Sequence, residues 1–507
     1  MKRLVLYLLL ILLAFTFHTT VFAATYYVFP TGNDSNAGTQ GSPWKTIQKA
    51  ATIAPSGSVV TVAAGTYNER VTITRPQLSF EAQGTVAMQG FAVNANNVSV
   101  KGFDISNANG NPGVYVTNAT NCDIENNYVH NTSRQGIFLE ARPTNPTAVQ
   151  NCTVKNNRVY QAELVGIEVQ GVNNLIENNE VWDTLQYGPL WPNPPSWIDA
   201  DGFRFFGSGH IFRGNYIHDI PYDATVNRDP HIDCFQTFSG GGDYVSAHDI
   251  LFEKNTCILP YDGAGLRAKA WQTEAQSYNL VIRNNVIYTN MASLFNDSHD
   301  ITLINNTFVG TLGDDAQGIH IINTQNFVAK NNIFVDMENG VSQLFNEGGG
   351  STITGSNNCV YKVGGNRHDP GDVNADPLFV NQAGGDYHLK ANSPCIDKGV
   401  NDGVTDDKDG ISRPQGAGYD IGAYEYSSGF GTLLTPTPTP SPTVAAPTPV
   451  IKAGDANSDG HVEETDYGIW LSHYGQTVSG GRTVGDFDGD GKVDGVDYSI
   501  WLKNYGT

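Results

Sequence analysis

Charge is scarce in this chain: of 507 residues only 16% are Asp, Glu, Lys or Arg. A long surface helix or a coiled coil needs far more, so neither organises the protein. Basic residues are scarcer still, 29 against 51 acidic, and the formal net charge is −22. Phosphate backbones would be repelled, which argues against a nucleic-acid partner. The six cysteines include no CxxC pair and are too few for a disulfide scaffold. Beyond Phe17 no apolar run is long enough to span a bilayer. What is plentiful is Gly, at 55 residues, with Asn and Thr beside it. Such a mixture favours short strands and tight turns, and the length allows about three units or one long repetitive fold with attachments.

The chain opens with Lys2 and Arg3, an apolar run from Leu4 to Phe17, and Val21-Phe22-Ala23 at the usual cleavage positions. This reads as a secretory signal peptide over 1–23, so an exported protein without a membrane span is expected. Losing those two cations takes the net charge from −22 to −24.

A repeat fills the middle of the chain. The phrase "apolar-x-x-Asn-Asn-x-apolar" recurs as DIENNYVHN, TVKNNRVYQ, LIENNEVWD, IFRGNYIHD, LFEKNTCIL, VIRNNVIYT, TLINNTFVG and VAKNNIFVD. Its second Asn falls at 127, 157, 179, 215, 255, 285, 306 and 332, at intervals of 30, 22, 36, 40, 30, 21 and 26 residues. An interval near 22 suits one coil of three short strands, and longer ones are the same coil carrying a loop. The alternation inside each unit is that of strands. Coils stack at ~4.8 Å and bury a column of Val, Ile, Leu and Phe. Asn suits the corner because it tolerates left-handed backbone and its amide reaches the Asn one coil away. Cys122 and Cys152 occupy equivalent positions of adjacent units and read as stacked core thiols, with an inter-coil disulfide as the alternative.

On these residues the chain resembles the secreted right-handed parallel β-helix proteins of the pectate-lyase fold. The stretch YYVFPTGNDSNAGTQGSPWKTIQKAA, followed by VVTVAAGTYNERVTI, is similar to the capping segment that opens many of them. ADPLFVNQAGGDYHLKANSPCIDKG and RPQGAGYDIGAYEY are similar to their C-terminal end. The resemblance implies an all-β solenoid, with a capping segment over 24–75 and the β-helix over 76–426. It is specific for fold and weak for reaction.

Residues 427–450 are rich in Pro and Thr and read as a linker. After it, over 451–507, one pattern occurs twice, offset by 31 residues. The first copy is Asp455, Asn457, Asp459, Gly460, Glu463 and Asp466, and the second is Asp486, Asp488, Asp490, Gly491, Asp494 and Asp497. Oxygen donors at positions 1, 3, 5, 9 and 12, with Gly at 6, make a calcium loop, and the carbonyls of His461 and Lys492 fill position 7. Each loop runs into a helix with apolar residues at Tyr467, Trp470, Leu471 and Tyr474, then Tyr498, Trp501, Leu502 and Tyr505. The tandem resembles a type I dockerin. That implies two calcium ions and a cohesin partner on a scaffold or cell surface. The pair after position 9 differs between copies, Glu464-Thr465 against Gly495-Val496.

Aligning the coils on a Gly-apolar start gives GIFLE, GIEVQ, GFRFF, HIDCF, GLRAK and GIHII. The outward position two residues on is then Phe138, Glu168, Arg204, Asp233, Arg267 and His320; four residues on it is Glu140, Gln170, Phe206, Phe235, Lys269 and Ile322. This predicts a ladder of Glu168, Arg204, Asp233 and Arg267, with Asp201, His231 and Lys269 near its middle. An alternating ladder also serves simply to avoid like-charge stacking. Trp191 and Trp197, in one of the two longest intervals, are candidates to pack on sugar rings.

No GxSxG, Walker loop, HExxH or dinucleotide fingerprint occurs in its required context. The reading that follows is cleavage of an anionic or plant-type polysaccharide by β-elimination. Lys269 or Arg267 serves as base, its pKa lowered by neighbouring cations, and Arg204 stabilises the developing charge. His231 is an alternative base, Glu168 and Gln236 bind substrate, and Asp199, Asp201 and Asp233 form a candidate groove site for calcium. The alternatives are a glycoside hydrolase or epimerase on the same groove, or a non-catalytic, sugar-binding or adhesive β-helix.

Overall fold

The computed structural model describes residues 24–427, except 108, 187–198, 222–231, 240–243, 271–275, 312–315, 338–341 and 366, together with parts of 454–504. His231, Trp191 and Trp197 lie outside the described residues. So do 1–23 and the loop positions 455, 457, 459, 461, 463, 488, 490 and 494. The chain forms two compact units, 1–435 and 436–507. Among the described residues no helix is long and apolar enough to cross a membrane.

The first unit is a parallel β solenoid in which each coil contributes three strands. One strand column runs from Thr25–Val28 through Asp123–Glu125, Thr153–Lys155 and Leu175–Glu177 to Ile353–Ser356. A second carries Tyr128–Thr132, Arg158–Ala162, Glu180–Trp182 and Tyr216–His218. The third holds Val114–Thr117, Ile137–Glu140, Val165–Val169, Asp201–Phe205 and Asp233–Phe238, then the last residues of Thr256–Lys269. Period-two alternation sends one side chain of each short strand inward, as in Ile124, Val154, Ile176, Phe212 and Phe252, all at most 1% exposed. At the N-terminal end the helix Ile47–Ile53, capped by Thr46, buries Ile47, Ala50 and Ala51 over the first coil. At the other end Phe379, Tyr387, Leu389, Ile421 and Ala423 pack on Val286, Val309, Ile333 and Val335, outward residues of the second column.

The Asn pairs divide the two duties expected of one residue. The first Asn of the pair takes the left-handed turn, as at Asn126, Asn156, Asn178, Asn284 and Asn305, with φ between 53 and 57°. The second is buried and builds the ladder. Asn157 Oδ1 accepts from both Asn127 N and Asn127 Nδ2 at 3.0 Å, and the bond repeats through Asn179, Asn215, Asn255, Asn285, Asn306, Asn332 and Asn358. Asp372 Oδ1 ends it by accepting Asn358 N at 2.9 Å.

Beside this corner stands an alternating charge ladder that the sequence reading did not single out. Glu81, Lys101, Glu125, Lys155, Glu177, Arg213, Glu253 and Arg283 are register partners on successive coils. Lys155–Glu177 at 2.5 Å, Arg213–Glu253 at 2.6 Å and Arg283–Glu253 at 2.5 Å are among its ion pairs.

Cys122 and Cys152 are the stacked core thiols expected, and the other four cysteines pair. Cys234–Cys257 and Cys359–Cys395 are disulfides, with Cα separations of 6.0 and 6.2 Å. Cys122 and Cys152 are free and buried, and Cys122 N–H points at Cys152 Sγ at 3.4 Å.

The second unit holds two helices, Glu464–His473 and Gly495–Asn504. Its core is Ala456, Val462, Trp470, Phe487, Val493 and Trp501, with Tyr467 and Tyr498 packed on them. Ring pairs cross between the helices, Tyr467–Trp501 at 5.0 Å and Trp470–Tyr498 at 5.1 Å. Leu471, Tyr474 and Leu502, expected on the same apolar face, are exposed instead, at 53, 55 and 54%. Two short helices offer only a narrow stripe to each other, and the four large rings fill it.

Candidate functional site

The third strand column presents an outward row different from the predicted one. In register it reads Phe138, Glu168, Arg204, Gln236, Arg267, Leu294 and His320. Gln236, not Asp233, stands between the two arginines. The next outward row pairs Phe238 with Lys269, while Phe235 is a core residue stacked on Phe203 at 5.3 Å.

The three-residue slip has a physical cause. Several coils of this column start on Gly because a Cβ there would strike the neighbouring column: 2.4 Å from Val159 at Gly136, 2.2 Å from Val181 at Gly166, 2.6 Å from Ile217 at Gly202 and 2.5 Å from Ile287 at Gly265. In the coil between Gly202 and Gly265 the start is Cys234, and the facing residue is Cys257. The close approach there becomes a covalent bond. Alignment on Gly therefore misplaces that coil and also passes over the coil that starts at Ala292, whose Leu294 stands between Arg267 and His320.

Asp201 and Asp233 occupy matching positions at the heads of adjacent strands, both fully buried. Asp201 Oδ1 accepts Asp233 N–H at 3.2 Å, and Asp233 Oδ1 accepts Ala264 N–H at 3.0 Å. The second oxygen of each holds a guanidinium: Arg204 Nη2 donates to Asp201 at 2.6 Å, and Arg267 Nε donates to Asp233 at 2.7 Å. Gln236 Nε2 donates to the same Asp233 oxygen at 3.0 Å, and Asp199 takes Arg204 Nη2 at 3.1 Å. One coil earlier Glu168 is gripped by two amides, Gln135 Nε2 at 2.7 Å and Gln170 Nε2 at 2.9 Å. The two aspartates thus root the arginines in the backbone. Arg204 lies over the Phe238 ring at 5.5 Å and Arg267 is partly exposed.

The electrostatics follow from this pairing. Burial works to lower the pKa of Arg204, but Asp201, Glu168 and Asp199 outweigh it and the net direction is up. Arg267 behaves alike, burial opposing and Asp233 prevailing. Both guanidinia stay charged, which runs against the mutual depression that an arginine base would need. Burial pushes Asp201 well above the usual carboxylate range, with Asp199 and Asp233 adding and Arg204 opposing. Lys269 shares this face, whereas His320 is tied to Glu347 at 2.9 Å, three coils from Gln236.

The aspartates do not fit the expected groove calcium. Their oxygens are spent on guanidinia and backbone N–H groups, and among the described residues no three His, Cys, Asp or Glu side chains are grouped to hold a metal. In the second unit the described acidic positions do fit. Asp466 Oδ1 accepts Ala456 N–H at 2.8 Å and Asp497 Oδ1 accepts Phe487 N–H at 2.7 Å, the same closure in both copies. Asp486 is buried beside Gly491 N–H at 3.0 Å. Hard carboxylate oxygens turned into a closed loop are what calcium requires.

Comparison with known families gives a match described as the right handed beta helix region, over residues 63–181 and 147–357. The chain belongs to the right-handed β-helix family. Residues 453–505 match the dockerin type I domain, so this β-helix protein carries a C-terminal dockerin. Residues 30–78 match a family described as a protein of unknown function (DUF1565). No curated protein matches. Among solved structures, the complex of XylC with xylose is 11% identical, with 79% of this chain and 98% of that one covered at a TM-score of 0.50. Pectate lyase Pel9A is 16% identical, with 80% and 96% covered at 0.43. The A-module of the Azotobacter vinelandii mannuronan C-5 epimerase AlgE6 is 14% identical, with 65% and 93% covered at 0.43. At such identities the likeness is one of fold.

One residue of the site, Gln135, escaped the sequence reading, and a second, Gln236, was expected only in part. Gln135 lies before a Gly start, where Val165 and Asp201 also stand, and that shared place was its signal. Gln236 was taken for a hydroxyl ligand but not for a member of the outward row.

Proposed function

We propose that this is an exported enzyme that cleaves an anionic polysaccharide on the outward face of the third strand column and is tethered by its dockerin. The observation that carries the reading is the pair of guanidinia, Arg204 and Arg267, flanking Gln236. Each is kept charged and held in place by a buried aspartate. Preorganised cations of this kind neutralise a uronate carboxylate and the enolate-like charge that grows on it when the adjacent proton leaves. In β-elimination a base takes the proton from the carbon α to the carboxylate. The electron pair forms the ring double bond, the glycosidic C–O bond breaks, and the leaving oxygen gains a proton. Lys269 is the base on this reading, since the raised pKa of Arg267 makes it a poor proton acceptor.

Hydrolysis is a second reading, favoured by Asp201. Burial pushes its carboxyl up, and it stands one coil from Asp233, so the two carboxyls could divide the acid and base roles. Incubation with uronate polymers separates the two. Elimination leaves an unsaturated, ultraviolet-absorbing chain end, and hydrolysis only a reducing end. Neither product from any uronate polymer would remove the enzyme reading in favour of a sugar-binding surface protein.

The dockerin supports attachment to a cohesin and calcium in its two loops. Excess chelator should remove the helix signal of 464–473 and 495–504, because the loops fold around the ion.

A further inference from the structure

Gln135 Oε1, Arg204 Nε and Gln236 Oε1 are buried polar atoms on the groove face with no hydrogen-bond partner among the described residues, and a further one, His320 Nε2, lies three coils beyond Gln236. The first three residues are at most 4% exposed. The remaining polar atoms of the two glutamines fix the orientation. Gln135 Nε2 donates to Glu168 and Gln236 Nε2 to Asp233, so a flipped amide would set oxygen against carboxylate. The first three atoms therefore run acceptor, donor, acceptor along the solenoid. Native interiors leave few such atoms unpaired, because each gives up water without a replacement. The corner of the same coils shows the contrast, since its Asn amides are bonded coil after coil.

We infer that Gln135 and Gln236 are the specificity-determining residues of this groove. Their carboxamide oxygens accept from sugar hydroxyls, and Arg204 Nε donates to an oxygen of the substrate between them. The inference rests on the reading that this face is the substrate groove. It narrows the ligand to a polyhydroxylated chain. A bare anion would face two acceptors that repel it, and a hydrophobic ligand would leave all three atoms unmatched. Glu168, which holds Gln135, and Gln236 stand two coils apart, about 10 Å. That span exceeds one sugar ring, so the pair reads neighbouring residues of an oligomer.

The test is equilibrium binding to the full chain of a uronate oligosaccharide, its fully O-methylated form and a neutral xylo-oligosaccharide. It compares the parent with Gln135→Met and Gln236→Met, with thermal midpoints reporting that each variant is folded. The expected result is at least tenfold weaker binding for each variant and no binding of the O-methylated ligand by the parent. Folded variants that bind the uronate within twofold of the parent would overturn the inference. Tight binding of the O-methylated form would do the same. A parent that binds only the neutral chain, with that binding lost in both variants, would keep the glutamine pair and sink the anionic reading. A parent that binds none of the three overturns both.

Discussion

Two faces of the same coils obey opposite rules. On the corner side the polar groups repeat and nearly all are matched, Asn305 Oδ1 being an exception. Asn bonds to Asn, and Glu alternates with Lys or Arg through eight coils. On the third strand column the outward row changes chemistry at each coil, Glu168 and Arg204 are nearly buried, and polar atoms of Gln135, Arg204 and Gln236 stay unmatched among the described residues. The corner stabilises the stack. The other face gives up some stability to hold groups ready for something that is not part of the chain.

The largest expected effect tests the corner. Asn215→Leu removes the acceptor of Asn179 N–H and Nδ2–H and the donor to Ile176 O. Buried groups left unpaired cost about 1–3 kcal/mol each, so destabilisation of roughly 3–6 kcal/mol is expected by calorimetry or denaturant titration. A loss below about 1 kcal/mol would mean that the ladder is ornament. On the other face Lys269→Ala should behave in reverse. Turnover of a uronate polymer should fall by about 10²–10⁴, the usual share of a general base, with the thermal midpoint almost unmoved. A midpoint that falls while turnover persists would exchange the roles of the two faces.

Smaller effects sharpen the contrast. Glu177→Lys sets a cation between Lys155 and Arg213, breaking ion pairs of 2.5 and 3.3 Å. A loss of about 1–2 kcal/mol is expected at low salt, shrinking in 1 M salt, and an effect indifferent to salt would mean that packing dominates. The smallest change concerns the C-terminal cap. There His388 bridges Asp386 at 2.6 Å and Asp409 at 2.8 Å. Burial works to lower its pKa, but Asp409 and Asp386 prevail and the folded value lies above that of an ordinary histidine. The stabilisation is then fully present below the unfolded pKa and is lost as pH rises through the folded one. The difference in midpoint between the parent and His388→Gln should be largest near pH ~5.5 and fade in alkaline buffer. A gap that widens with pH would contradict the sign.

The charge ladder could be read directly from the repeats. The residue two before the second Asn runs Glu125, Lys155, Glu177, Arg213, Glu253 and Arg283. The expected ladder at the Gly starts, Glu168, Arg204, Asp233 and Arg267, is a different set of residues, and there Gln236 replaces Asp233. The doubled calcium loops, the coil repeat and the buried Asn were likewise legible, since each is a short-range pattern with one residue type at a constant offset. The site was legible only in part. Arg204, Arg267 and Lys269 do share a face, but the row between the arginines did not emerge from the sequence.

Local periodicity by itself determined the solenoid, its corner and the dockerin, because backbone geometry and side-chain alternation repeat over a few residues and need no distant partner to be recognised. Tertiary structure decided the rest. Where Cys234 meets Cys257 depends on which coil faces which, and that contact sets the register of the coil holding Gln236. Whether Asp233 reaches outward or roots Arg267 depends on the same register. Charges 34 residues apart in sequence become one hydrogen-bonded group only after the coils have stacked.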